Sequence, residues 1–99
     1  WYDKIFAGLN GVEVLREPAG CRSNYWLNAL LFKDAPTRDL FLELTNNQGI
    51  ETRPCWRLIP DTTAYQDALR AADLTVSRDI VSRLVNIPSG PCLNPDDIG

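Results

Sequence analysis

Apolar and polar positions follow short runs of differing period along this chain, and each change of period marks a new element. In the first nine residues, Tyr2, Ile5, Phe6 and Leu9 recur at three- and four-residue intervals, the spacing of one helix face. Gly8 and the Asn10-Gly11 pair then offer the positive backbone angles that end a helix and turn the chain. Residues 12–17 (VEVLRE) open with the two-residue period of a strand and stop at Pro18, which has no N–H to give to a ladder. Pro18-Ala19-Gly20 reads as a loop. Residues 24–32 (NYWLNALLF) are bulky and almost uninterrupted, and they predict the longest strand, central and covered on much of both faces. A helix is the competing reading of that run, but Lys33-Asp34-Ala35-Pro36 breaks the chain too soon for a stable one.

Pro36 near a helix start, with Asp34 or Thr37 as cap, predicts the clearest helix, running to about Asn47 with Leu40, Phe41 and Leu44 inward. Gly49 ends it. Residues 50–56 (IETRPCW) predict a strand entered directly from the helix cap, with Pro54 placing that part at a sheet edge. Residues 62–72 predict a short helix, and Thr75 or Ser77 caps a second one in which Ile80, Val81 and Leu84 share a face. Residues 84–87 form a last short strand before the Pro88-Ser89-Gly90-Pro91 loop. There is no internal repeat, and strands and helices do not alternate as in a doubly wound sheet. The expected fold class is therefore α+β: a small, mostly antiparallel sheet with helices packed on one face.

Composition narrows the setting. Ninety-nine residues with 44% apolar content fill one small domain and one modest core. No run approaches the roughly 20 apolar residues of a membrane span, and the opening residues lack the regions of a secretory signal, so a cytoplasmic protein without a membrane partner is expected. The net charge is -3 and the lysines and arginines are scattered, which offers little to nucleic acid. Cys21, Cys55 and Cys92 lie too far apart for a zinc site, so no metal is expected, and reduced, unpaired thiols are expected. The chain lacks methionine, and Asn94-Pro95-Asp96-Asp97-Ile98 reads as the start of an uncompleted helix. Both features lead to the expectation of a fragment of a longer protein.

Candidate chemistry is limited by the absence of histidine. No serine or cysteine triad can be assembled, no glycine-rich phosphate loop is present, and no helix presents paired metal ligands. No catalytic residue is assigned. Asp96-Asp97 and Glu13 with Glu17 read as solvated acids. Lys4 and Lys33 are the only amines available for a Schiff base, and both read as surface residues. The 20–26 segment (GCRSNYW) and the 52–57 segment (TRPCWR) each combine hydroxyl or amide groups, guanidinium and aromatic rings, a mixture suited to a polyhydroxylated or phosphorylated ligand. Solvated arginines and ordinary core-to-surface alternation are the plainer account of the same residues.

Three runs in order change that balance: EPAGCRSNYWLNALL, RDLFLELTNNQGIETRPCWRL and AADLTVSRDIVSRLVNIPSGPCL. Together they resemble the C-terminal part of the DegT/DnrJ/EryC1/StrS aminotransferases, nearest to the legionaminic-acid and perosamine type, over nearly the whole chain. The resemblance implies that residues 1–99 are the small domain of a fold-type I pyridoxal-phosphate enzyme. Such an enzyme is a homodimer that moves an amino group from glutamate to a keto sugar on a nucleotide carrier. Its catalytic lysine and cofactor-contacting aspartate belong to a large domain absent from this chain. No cofactor is then expected on this chain by itself, and no cofactor-binding residue is assigned.

Position by position, Ser23, Asn24 and Tyr25 match the strand that approaches the sugar, with Ser23 in place of a histidine found in many relatives. Arg53 and Trp56 match a Thr-Arg-Pro-x-Trp strand facing the same cleft, Arg53 being suited to a phosphate or cofactor oxygen. Asn86 and Ser89 match a terminal strand and turn and read as turn-stabilising. The chain departs from the pattern around Pro60, Thr63 and Tyr65, and the substrate is not fixed by the resemblance. The alternative from another class is a free-standing carbohydrate-binding or protein-interaction module.

Overall fold

The computed structural model of the chain describes residues 1–70, 72–90, 94 and 96. The elements are α1 (Tyr2–Ile5), β1 (Val12–Val14), β2 (Asn28–Phe32), α2 (Ala35–Asn47), β3 (Arg53–Pro54), α3 (Thr75–Arg83) and β4 (Leu84–Ile87). Two 3₁₀ turns, Ile59–Asp61 and Thr63–Tyr65, lie between β3 and α3. The four strands form one sheet in the order β1-β2-β4-β3, and every pairing is antiparallel. This is the expected α+β fold.

The core follows from the two-residue period of the strands. Leu30 and Phe32 of β2 and Val85 and Ile87 of β4 are buried on one face, and Leu30 stands directly opposite Val85. Phe41 and Leu42 of α2 and Tyr2 and Phe6 from the α1 end pack against them. The Phe32 and Phe41 rings lie 4.9 Å apart between centroids. The Tyr2 hydroxyl donates to the Pro88 carbonyl, which ties α1 to the end of β4, and burial pushes the Tyr2 phenol up from its ordinary pKa.

Several local readings shift. β2 begins at Asn28 rather than at residue 24, because the chain enters it through a hydrogen-bonded turn. The inward stripe of α2 contains Phe41 and Leu42, whereas Leu40 and Leu44 are half exposed. One turn beyond Phe41, Thr45 faces Thr52, and their hydroxyls lie 2.6 Å apart. That polar contact helps set the rotation of the helix and leaves Leu40 and Leu44 outside. β3 keeps only two residues, at the outer edge that Pro54 requires.

The helix expected over residues 62–72 is replaced by the 3₁₀ turn Thr63–Tyr65 and the bends after it, and Ala71 lies outside the described residues. Tyr65 and Leu69 are exposed, so the segment has no apolar face docked to support a longer helix. Neither Thr75 nor Ser77 caps α3: the helix starts from Leu74 with no side-chain cap hydrogen bond, and the Asp73 carboxylate accepts the Thr75 N–H at 3.2 Å just before it. Leu84 has left the helix face to open β4, which lies inside the sheet. Of the helix start expected over residues 94–98, only Asn94 and Asp96 fall within the described residues.

Two predictions follow from the core and the α2 cap. Leu30→Ala, at a fully buried site, lowers the unfolding free energy in urea by about 3 kcal/mol, while Leu44→Ala changes it by less than about 0.5 kcal/mol. Equal losses at both positions would contradict the assigned helix rotation. The cap makes the second. The hydroxyl and then the backbone N–H of Thr37 hold the Asp34 carboxyl below its ordinary pKa. A depressed carboxylate stabilises the fold above its unfolded pKa of about 4 and loses that contribution as pH falls through its folded value. Asp34→Asn keeps an acceptor at the cap but cannot titrate, so the wild-type advantage in urea midpoint shrinks as the solution is acidified. A gap independent of pH would exclude the charged cap.

Candidate functional site

The five residues singled out by sequence are Ser23, Asn24, Tyr25, Arg53 and Trp56, and they fall into two groups. The first three build the turn into β2. The Ser23 hydroxyl accepts the Tyr25 N–H at 3.0 Å, and the Asn24 amide oxygen accepts the Trp26 N–H at 3.0 Å. Such side chain to backbone bonds compete with strand pairing, which is why β2 starts late. Tyr25 has φ +48°. Its hydroxyl accepts the Glu17 N–H at 3.4 Å, and the Glu17 carboxylate accepts the Ser23 N–H.

Tyr25 stands between two clefts. One, of about 330 Å³, is bounded by Glu17, Cys21, Arg22 and Ser23. The other, of about 240 Å³, is bounded by Trp1, Asp3 and Asn28. Arg16 lines both and pairs with Asp3 at 3.0 Å. Both clefts therefore offer hydrogen-bonding groups and a guanidinium to a polar ligand.

Arg53 and Trp56 come from β3 and the chain after it. Thr52 is buried and held by Thr45 and by the Asn46 side-chain amide, which donates to the Thr52 hydroxyl at 2.9 Å and its carbonyl at 3.1 Å. With Thr52 anchored, strand alternation turns Arg53 to the face opposite the core, across from Asn86. Arg53 forms an ion pair with Glu51, both side chains being exposed. Trp56 reaches the first group through Trp26, their ring centroids 6.1 Å apart at 60°. Among the described residues no hydrogen bond joins Arg53 to the Tyr25 turn. The structure thus brings Ser23, Asn24 and Tyr25 together, links Trp56 to them by an aromatic contact, and places Arg53 across β4.

Arg16, Glu17 and Trp26 were not singled out as site residues by sequence. Glu17 reads as a solvated acid there, yet its carboxylate organises the turn. Ser89 reaches away from its own turn, its hydroxyl donating to the Trp26 carbonyl at 2.7 Å, and Asn86 lies within β4. A further cleft, about 460 Å³, is apolar, lies among Ile5, Phe6, Phe41 and Ile87, and includes none of the five residues. Among the described residues no group of three His, Cys, Asp or Glu could hold a metal ion. The Cys21 and Cys55 thiols are free, and Cys92 lies outside the described residues. Lys4 and Lys33 are both exposed, as expected, and Lys33 faces Asp34. Neither fits the buried amine that binds pyridoxal phosphate covalently.

A four-stranded antiparallel sheet with helices on its core face is the class of fold this geometry defines. The chain belongs to the DegT/DnrJ/EryC1/StrS aminotransferase family, whose model matches residues 1–99. Among solved structures it is similar to Helicobacter pylori PseC, an aminotransferase involved in the biosynthesis of pseudaminic acid. The TM-score is 0.82 at 23% identity, over 98% of this chain and 27% of that one. It is also similar to the sugar aminotransferase CalS13 from Micromonospora echinospora, with TM-score 0.75, 29% identity, and coverage of 97% and 25%. A third is Spr1654 from Streptococcus pneumoniae in its PMP form, with TM-score 0.79, 19% identity, and coverage of 98% and 25%. The chain spans about a quarter of the length of these proteins. No curated protein sequence matches it significantly.

The aromatic contact yields a direct test. Trp26→Phe and Trp56→Phe each abolish the same coupled indole band in circular dichroism, while Trp1→Phe leaves it in place. A band that survives either of the first two substitutions would remove the link between the two groups.

Proposed function

We propose that residues 1–99 form the C-terminal small domain of a pyridoxal-phosphate-dependent aminotransferase acting on a keto sugar carried by a nucleotide. The donor is glutamate or a similar amino acid, the parent is a cytoplasmic homodimer, and the sugar is of the legionaminic-acid or perosamine kind. The observation that carries this reading is the match of the whole chain to one aminotransferase family, together with a fold equivalent to about a quarter of several sugar aminotransferases.

Within that reading the cofactor supplies the electron sink for amino transfer when bound, and a large domain outside this sequence supplies the lysine that holds it. This chain's own residues bind and orient the substrate. Tyr25 offers a phenol at the junction of two clefts, and Ser23 and Asn24 shape the turn that presents it. Arg53, which forms an exposed ion pair with Glu51, can exchange that partner for a phosphate oxygen. Trp56, in contact with Trp26, offers a face on which a ring can stack. An isolated sugar-binding module would use the same indoles, and direct binding separates the two readings.

The experiment joins this sequence to the remainder of its gene and assays amino transfer from glutamate to nucleotide-linked keto sugars. The joined enzyme is active and the 99-residue chain is not, and Arg53→Ala lowers kcat/KM by about tenfold or more. Tight, saturable binding of sugar nucleotides by the 99-residue chain, without activity in the joined protein, would instead support the module.

A further inference from the structure

Tyr25 is the only non-glycine residue among those described that takes a positive φ. That region is disfavoured for a residue with a bulky side chain, so surrounding contacts must hold it there. The hydroxyl of Ser23 fixes the Tyr25 N–H and the amide oxygen of Asn24 fixes the next N–H along. Glu17 acts from across the loop on both parts of the arrangement. Its carboxylate accepts the Ser23 N–H, at the opening of the turn, and its own N–H donates to the Tyr25 hydroxyl. The phenol oxygen accepts that bond and so keeps its own proton free to donate elsewhere. Glycine would adopt the same backbone without strain but would present no phenol, so the strain is tied to the side chain.

We propose that Glu17 is the positioning residue for Tyr25, fixing its phenol at the seam of the two clefts so that it donates to a substrate oxygen. This rests on the reading of Tyr25 as a sugar-contacting group. Glu17 borders one of these clefts, but its carboxylate is engaged by the Ser23 N–H and its own N–H by the Tyr25 hydroxyl, so it acts through the turn. Its side chain is the part a substitution can remove, since the N–H remains in any variant other than proline.

Two readouts separate the geometry from the function. In nuclear magnetic resonance of the chain, Tyr25 gives the strong intraresidue contact between amide and α protons that marks a positive φ. Glu17→Ala weakens it and Glu17→Gln, whose amide oxygen still accepts a hydrogen bond, largely restores it. In the intact aminotransferase, Tyr25→Phe and Glu17→Ala each raise KM for the keto-sugar nucleotide about tenfold with kcat within about twofold. The double variant is no worse than Tyr25→Phe alone, because the Glu17 carboxylate is engaged by the Ser23 N–H and acts through the phenol it positions. Persistence of the positive-φ signature and of wild-type KM in Glu17→Ala overturns the positioning role and leaves the Tyr25 reading intact. A double variant whose KM is the product of the two single effects also overturns it. Unchanged kinetics in Tyr25→Phe overturn the site reading, and the proposal with it.

Discussion

The pairing of β2 with β4 is the contact on which the rest of the molecule depends. These two strands supply all four buried core side chains among the described residues, and Leu30 meets Val85 at their centre with no exposure of either. β1 pairs only with β2 and β3 only with β4, so neither edge strand has a second neighbour to hold it. α2 docks through Phe41 on Phe32, and α3 runs without a break into β4 while Arg83 donates to the Phe32 carbonyl at 2.6 Å. The two strands are joined in sequence only through α2, β3, both 3₁₀ turns and α3. Closing that loop costs chain entropy before the core can form, and burial of the four side chains helps to offset it.

The same pairing sets the layout of the candidate site. Tyr25 lies just before β2, and Arg53 lies opposite Asn86 of β4, so β4 fixes the separation between the turn and the arginine. Strand alternation then decides faces. Leu30 and Val85 point to the core, which leaves Ala29, Asn86 and Arg53 on the opposite face. A ligand that meets both Tyr25 and Arg53 must therefore cross the end of β4, where Ser89 holds the Trp26 carbonyl. A site built this way is open on one side, which matches the exposure of Trp26 and Trp56.

How much of this could be read from the sequence depended on whether a local signal or a distant partner decided the outcome. β4 was legible over residues 84–87 because the helix before it and Pro88 after it bound the run on both sides. The edge position of β3 was legible from Pro54. The start of β2 was not, because Asn24, Tyr25 and Trp26 suit a strand while the side chains of Ser23 and Asn24 divert the backbone. On α2, Leu40 with Leu44 and Phe41 with Thr45 are adjacent stripes, and only the Phe32 ring and Thr52 decide which turns inward. In the site, the residue types in the two polar segments were legible. The left-handed Tyr25, the hold of Glu17 and the meeting of Trp26 with Trp56 arise from contacts across the sequence that no periodicity encodes.

The surface bears on why so small a core suffices. A free-standing globular chain of 99 residues exposes about 5,700 Å² and has a radius of gyration of about 13 Å. This chain exposes 7650 Å² and has a Cα radius of gyration of 15.3 Å. The excess is not all polar: Trp26 is 68% and Trp56 69% exposed, and Leu40 and Leu44 form an outward stripe on α2. Leaving large aromatic and aliphatic groups in water forgoes the main favourable term in folding. The outer side of α2 and the indole pair belong to separate elements, so a single small ligand does not account for both. Cover by further protein would account for both, as the proposed reading of the chain as one part of a larger aminotransferase expects.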